Sequence, residues 1–135
     1  MLLQLSAKTE YGLMLLKYLA KLPSDRVVSL GQVAQDYKLP IKYLEQVARD
    51  LVKAKLISSR PGKRGGYSLL INPAQTPLAA VLKVLEGPLE PVICKHDGTC
   101  CKRQTACPNK TGWLKVQRDL LKTIGRYKLA SLINY

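Results

Sequence analysis

Between Ser29 and Leu70, apolar residues recur first at helical spacing and then in two short runs, and this stretch organises the rest of the chain. Ser29-Leu30-Gly31-Gln32 is a capping-box pattern, with Ser at the N-cap and Gln three residues on. It predicts a helix through Val33 and Ala34 to about Tyr37, ending in Lys38-Leu39-Pro40. Pro40 suits the first turn of a second helix, where its missing N–H costs nothing. Ile41, Leu44, Val47, Ala48 and Leu51 form one apolar stripe on that helix. Its other face shows Lys42, Tyr43, Gln46, Arg49 and Lys53. Residues 56–60 and 67–71 read as two strands around the Gly-rich basic turn 61–66, a β-hairpin.

Helix, tight turn, helix, basic hairpin is the plan of a winged helix-turn-helix, a DNA-reading module. The pattern alone also fits a small core with no partner, and charge separates the two. From Lys38 to Tyr67 the chain has eight Lys and Arg residues against Glu45 and Asp50. A phosphate backbone binds such a surface through counterion release.

The flanking sequence supports this module. Ser6 can cap a first helix to about Leu22, with Ala7, Tyr11, Met14, Leu15, Tyr18, Leu19 and Leu22 on one face. After the hairpin, Thr76-Pro77 reads as an N-cap followed by Pro in the first turn. Leu78, Val81, Leu82 and Leu85 then give a short helix that stops at Gly87-Pro88. From about Asn109, Trp113, Val116, Leu120, Ile124 and Tyr127 recur at 3/4 spacing, with Leu114 and Leu121 widening the face. A helix this apolar, added to a domain complete without it, calls for a second copy, because helix-turn-helix proteins read paired half-sites. Residues 129–132 form a last short helix. The expected fold is mainly α with a small β-hairpin. It comprises a winged helix-turn-helix domain over residues 1–88, a cysteine-bearing loop over 89–108, and a long C-terminal dimerisation helix with its short successor over 109–135.

Size and charge narrow the function. The chain has 135 residues, a formal charge of +13 and 47% hydrophobic residues, enough for one core and suited to a polyanionic partner. No apolar run approaches the roughly 18 residues of a spanning helix. The start Met1-Leu2-Leu3-Gln4-Leu5 is too short for a secretory segment, so the expected location is the cytoplasm. In that compartment four cysteines point to metal or redox chemistry rather than structural disulfides. No Ser/His/Asp set, phosphate loop or paired carboxylate site is visible, which argues against an enzyme.

The four cysteines, Cys94, Cys100, Cys101 and Cys107, lie in one segment without helical or alternating period, together with the single histidine, His96. Gaps of five or six residues are wider than those of zinc ribbons. Soft thiolates at wide spacing suit an iron–sulfur cluster, whose irons need ligands from several directions. Structural zinc, a metal-free thiol–disulfide switch and an inert loop remain alternatives. Lys95, Lys102, Arg103 and Lys110 would lower thiol pKa values and offset the charge of a thiolate-bound cluster.

Taken in order, Leu5-Ser6-x-Lys8-x-x-Tyr11, Tyr43-Leu44-Glu45-Gln46, Gly65-Gly66-Tyr67, Leu85-Glu86-Gly87-Pro88 and the spaced cysteines resemble the IscR/NsrR-type family of bacterial winged-helix regulators over essentially the whole chain. The resemblance implies a homodimeric repressor of palindromic promoter DNA with no membrane association. It also implies an iron–sulfur cluster, of the two-iron two-sulfur kind, that reports iron, redox or nitric oxide status. Some relatives carry no cluster and answer to a partner protein or to thiol oxidation. Carried over by position, Cys94 and Cys107 match the outer ligands, and either Cys100 or Cys101 matches the middle one. Lys110 stands where one branch of the family has a histidine ligand. Glu10 of the other subunit matches the carboxylate used by another branch, with His96 as the alternative. The same carry-over puts Tyr43, Glu45 and Gln46 at base edges, Lys42, Arg49 and Lys53 at phosphates, and Arg60, Lys63 and Arg64 of the wing in an adjacent minor groove. Glu45 could equally repel non-cognate DNA.

Overall fold

A computed structural model describes residues 4–90 and 106–134. In chain order the elements are α1 (Ala7–Ala20), α2 (Leu30–Tyr37), α3 (Ile41–Lys53), β1 (Ile57–Arg60), β2 (Gly66–Leu69), α4 (Leu78–Glu86), α5 (Lys110–Ile124) and α6 (Ala130–Ile133). The core lies where α1, α3 and α4 meet, with α2 and the root of the hairpin closing its sides. Leu15, Leu16, Val33, Leu44, Val47, Ala48, Leu51 and Val81 are fully buried there. The apolar stripes read for α3 and α4 are the ones that pack, except that Ile41, at the first position of α3, stays exposed.

The inward face of α1 overlaps the one read from the sequence, with Leu15 and Leu19 buried and Tyr11, Tyr18 and Leu22 packed at its edge, and is shifted toward Thr9, Gly12 and Leu16. Thr9, Gly12, Leu15, Leu16 and Leu19 are buried, whereas Tyr11, Met14 and Tyr18 sit at the rim and Ala7 is exposed. A Cβ at Gly12 would come within 2.6 Å of the Leu85 side chain, so glycine here lets α1 and α4 pack closely without moving that side chain. The Ser6 hydroxyl caps α1 by accepting from the Thr9 amide at 3.2 Å.

The capping box at α2 is half formed. Ser29 accepts from the Gln32 amide at 3.1 Å, but the Gln32 side chain donates instead to Asp36 at 2.8 Å. Asp36 also accepts from the Tyr18 hydroxyl at 2.6 Å, which ties α2 to α1. Tyr18 is thereby held in its neutral form, with its pKa raised by that hydrogen bond.

Strands β1 and β2 pair antiparallel from Ile57 opposite Leu69 to Arg60 opposite Gly66. Val28, read from the sequence only as a lead into α2, exchanges two backbone hydrogen bonds with Tyr67 and widens the base of the wing. The glycine pair fits this crossing. A Cβ on Gly65 would run into the Arg60 carbonyl, and one on Gly66 would come within 2.6 Å of the Val28 carbonyl.

Pro40 and Pro77 occupy the N-cap positions of α3 and α4 rather than the first helical residue, each in extended conformation. Thr76 therefore does not cap α4; its hydroxyl donates to the Asn72 carbonyl at 2.8 Å. The first amide of α4, on Leu78, is taken up by the Tyr127 carbonyl at 3.0 Å. Two further bonds, from Leu129 to the Thr76 carbonyl and from Ala130 to the Pro73 carbonyl, stitch the chain after α5 onto the same loop. Leu129 is driven completely out of solvent and completes the core. Helix α5 itself has no buried residue; Trp113 and Val116 on its apolar face are 48% and 44% exposed.

Candidate nucleic-acid interface and cysteine segment

Because the stripe of α3 is buried, the remaining side chains project outward, and Lys42, Tyr43, Glu45, Gln46, Arg49 and Lys53 are all exposed. Arg60, Lys63 and Arg64 are exposed on the wing. Gln46, Arg49 and Lys53 share an open cleft of about 740 Å³ with Ser59 and Tyr67 of the hairpin. Helix and wing thus each carry exposed cations beside this cleft, which Asp50 also lines.

Helix α1 fixes this face at two points. The Tyr11 and Tyr43 rings meet edge to face, with centroids 5.4 Å apart. Lys8 pairs with Asp50 at 2.6 Å. The pair neutralises one of the two acids of α3, and Glu45 has no ion-pair partner among the described residues.

Glu86 has a physical role that no local pattern assigns to it. Its carboxylate accepts from the Ser6 amide at 2.6 Å. In a local capping box a residue three positions into the helix would reach back to that amide. Here that residue is Thr9, whose side chain is too short, and Glu86 supplies the acceptor from α4. The Ser6 amide, then the Thr9 hydroxyl, hold the Glu86 carboxyl below its usual range, with Lys8 adding to the effect. By spacing alone Glu86 is the last residue of α4 and a member of the Leu85-Glu86-Gly87-Pro88 motif, with nothing to connect it to Ser6.

Of the candidate metal ligands, Glu10 is exposed in the first turn of α1, and Cys107 is a half-buried free thiol just before α5. Cys94, Cys100 and Cys101, together with His96, Lys95, Lys102 and Arg103, lie outside the described residues. Glu10 and Cys107 are therefore the two candidate ligands whose surroundings are visible.

The Rrf2 family model, described as an iron-dependent transcriptional regulator, matches residues 5–135. The chain belongs to the Rrf2 family. Among its relatives, protein rrf2 of Nitratidesulfovibrio vulgaris is 31% identical over 131 residues, covering 97% of this chain and 87% of that protein. The HTH-type transcriptional regulator NsrR of Halalkalibacterium halodurans is 33% identical over 132 residues, covering 97% and 90%. The solved structure of CymR, the global cysteine regulator of Bacillus subtilis, superposes with a TM-score of 0.76 at 32% identity and covers 98% of each chain. The family assignment agrees with the resemblance read from the motifs, and the superposition agrees with the winged-helix fold. This Rrf2-family chain is a transcriptional regulator, and its relatives are regulators rather than enzymes. Among the described residues no helix is long and apolar enough to cross a membrane.

Proposed function

We propose that this protein is a cytoplasmic homodimeric repressor that binds palindromic promoter DNA and releases or tightens its grip according to the state of the cysteine segment. The observation that carries the reading is the set of exposed cations on α3 and the wing, Lys42, Arg49, Lys53, Arg60, Lys63 and Arg64, all solvent-facing. In this reading α3 enters the major groove. Tyr43, Glu45 and Gln46 meet base edges, the α3 cations hold phosphates, and the wing reaches the neighbouring minor groove. The exposed apolar face of α5 is what a second copy would cover, bringing two reading heads onto paired half-sites.

The donor set suits a two-iron two-sulfur cluster. Cys94, Cys107 and one of Cys100 and Cys101 supply thiolates, and Glu10 of the other subunit supplies a carboxylate that its exposed position leaves available. Such a group, when bound, responds to iron supply, oxidants and nitric oxide. Glu10 sits between Lys8 and Tyr11, which pair with Asp50 and Tyr43 of α3. A change in how Glu10 is held therefore reaches the reading helix through contacts already made.

A second reading is a cluster-free regulator of the same fold, controlled by thiol oxidation or a partner protein. The half-buried Cys107 thiol and the similarity to CymR, a global cysteine regulator, favour it. Anaerobic purification with measurement of iron, sulfide and visible absorption, followed by DNA binding, separates the two. On the leading reading, Cys94→Ala and Cys107→Ala abolish the colour and the change in DNA affinity. An unchanged response in both variants rejects the switch and leaves DNA binding standing. A colourless protein whose DNA binding answers to peroxide supports the second reading.

A further inference from the structure

Helices α2 and α3 end in the same way. Just past each C-terminus the backbone turns left-handed, at Lys38 (φ 56°) and at Lys55 (φ 60°). The Leu39 amide then donates to the Ala34 carbonyl at 2.9 Å, and the Leu56 amide to the Leu51 carbonyl at 3.0 Å. These are the long backbone bonds that close a Schellman turn, and the left-handed residue in that turn is usually glycine. An L side chain there crowds the backbone; asparagine and aspartate tolerate it by bonding locally, whereas lysine has no such compensation. Both lysines are exposed, and neither has an ion-pair partner among the described residues.

The same unfavourable choice thus occurs twice, at the two ends of α3. Lys38 lies three residues before Ile41, and Lys55 two residues after Lys53. At about 1.5 Å per residue, 13 residues make a helix about 20 Å long. The major groove is about 12 Å wide, so a helix seated in it extends its ends toward the flanking sugar–phosphate ridges. We propose that Lys38 and Lys55 are phosphate contacts that bracket α3, strained positions where a cation at the groove edge is kept in place of glycine. The proposal rests on the reading of α3 as the helix that enters the groove. A favourable interaction of each ammonium with its helix C-terminus is the competing account, and it involves no DNA.

The test uses the full chain with random-sequence duplex over a range of salt concentrations, read by fluorescence anisotropy beside thermal melts. Lys38→Gly and Lys55→Gly relieve the turn and remove the charge; Lys38→Gln and Lys55→Gln remove only the charge. The Gly variants are expected to melt no lower than wild type. All four are expected to bind more weakly, up to roughly eightfold each near 0.1 M salt, with the log–log salt slope reduced by about 0.9 per lysine. Lys38→Arg and Lys55→Arg are expected to keep both affinity and slope. Unchanged affinity and slope in folded Gly and Gln variants overturn the proposal and assign the lysines to the helix ends alone. A wild-type protein that binds no duplex overturns the reading of α3 itself, and the bracket with it.

Discussion

Glu86 illustrates how one side chain joins segments that are 80 residues apart. Its carboxylate completes the cap of α1 from the end of α4, immediately before the segment that leads to the cysteines. Its pKa is lowered in the folded chain, so its contribution to stability is present at neutral pH, above the unfolded value. That contribution is lost as pH falls through the folded value. Glu86→Gln keeps an acceptor of the same shape without the charge. The variant is expected to melt below wild type near neutral pH, and the gap is expected to narrow as the pH of the melts is taken down through and below the usual carboxylate range.

At the scale of elements, the wing depends on a close backbone crossing more than on its basic tip. Turn residues 61–64 are exposed, but Gly65 faces the Arg60 carbonyl, where no side chain fits. Gly65→Ala is expected to cost about 1–3 kcal/mol, the range for overpacking, read from urea unfolding. It should also weaken DNA binding by displacing Lys63 and Arg64, whereas Lys63→Ala should leave stability unchanged. Helix α1 teaches a related lesson. Its periodicity and the burial of Leu15 and Leu19 were legible, but not the burial of Thr9 and Gly12, small residues that carry no apolar signal of their own.

In the whole molecule, the C-terminal region divides between two jobs. Residues 127–130 dock on the α4 entry and bury Leu129, while α5 keeps Trp113 and Val116 exposed. The dimer reading predicts that Trp113→Glu combined with Val116→Glu gives a monomer in sedimentation experiments. The melting temperature of the remaining fold should change little, since neither residue contributes to the core. Affinity for a two-half-site operator should fall at least about 100-fold, because the second head no longer binds at high effective concentration. A double variant that remains dimeric would place the interface elsewhere.

Local physics determined much of this protein. The stripes of α3 and α4, the Ser6 and Ser29 caps, the Gly-rich turn and the cationic face all follow from spacing and residue type within a few neighbours. The motif order carried the family as well. Only tertiary structure decided the rest: that Val28 joins the wing, that Glu86 caps a distant helix, that Tyr127 supplies the carbonyl for α4 and that Leu129 closes the core. Each of these is a contact between segments far apart in sequence, made to satisfy an amide or an apolar surface left open by its own neighbours, and no local pattern specifies which remote residue will satisfy it.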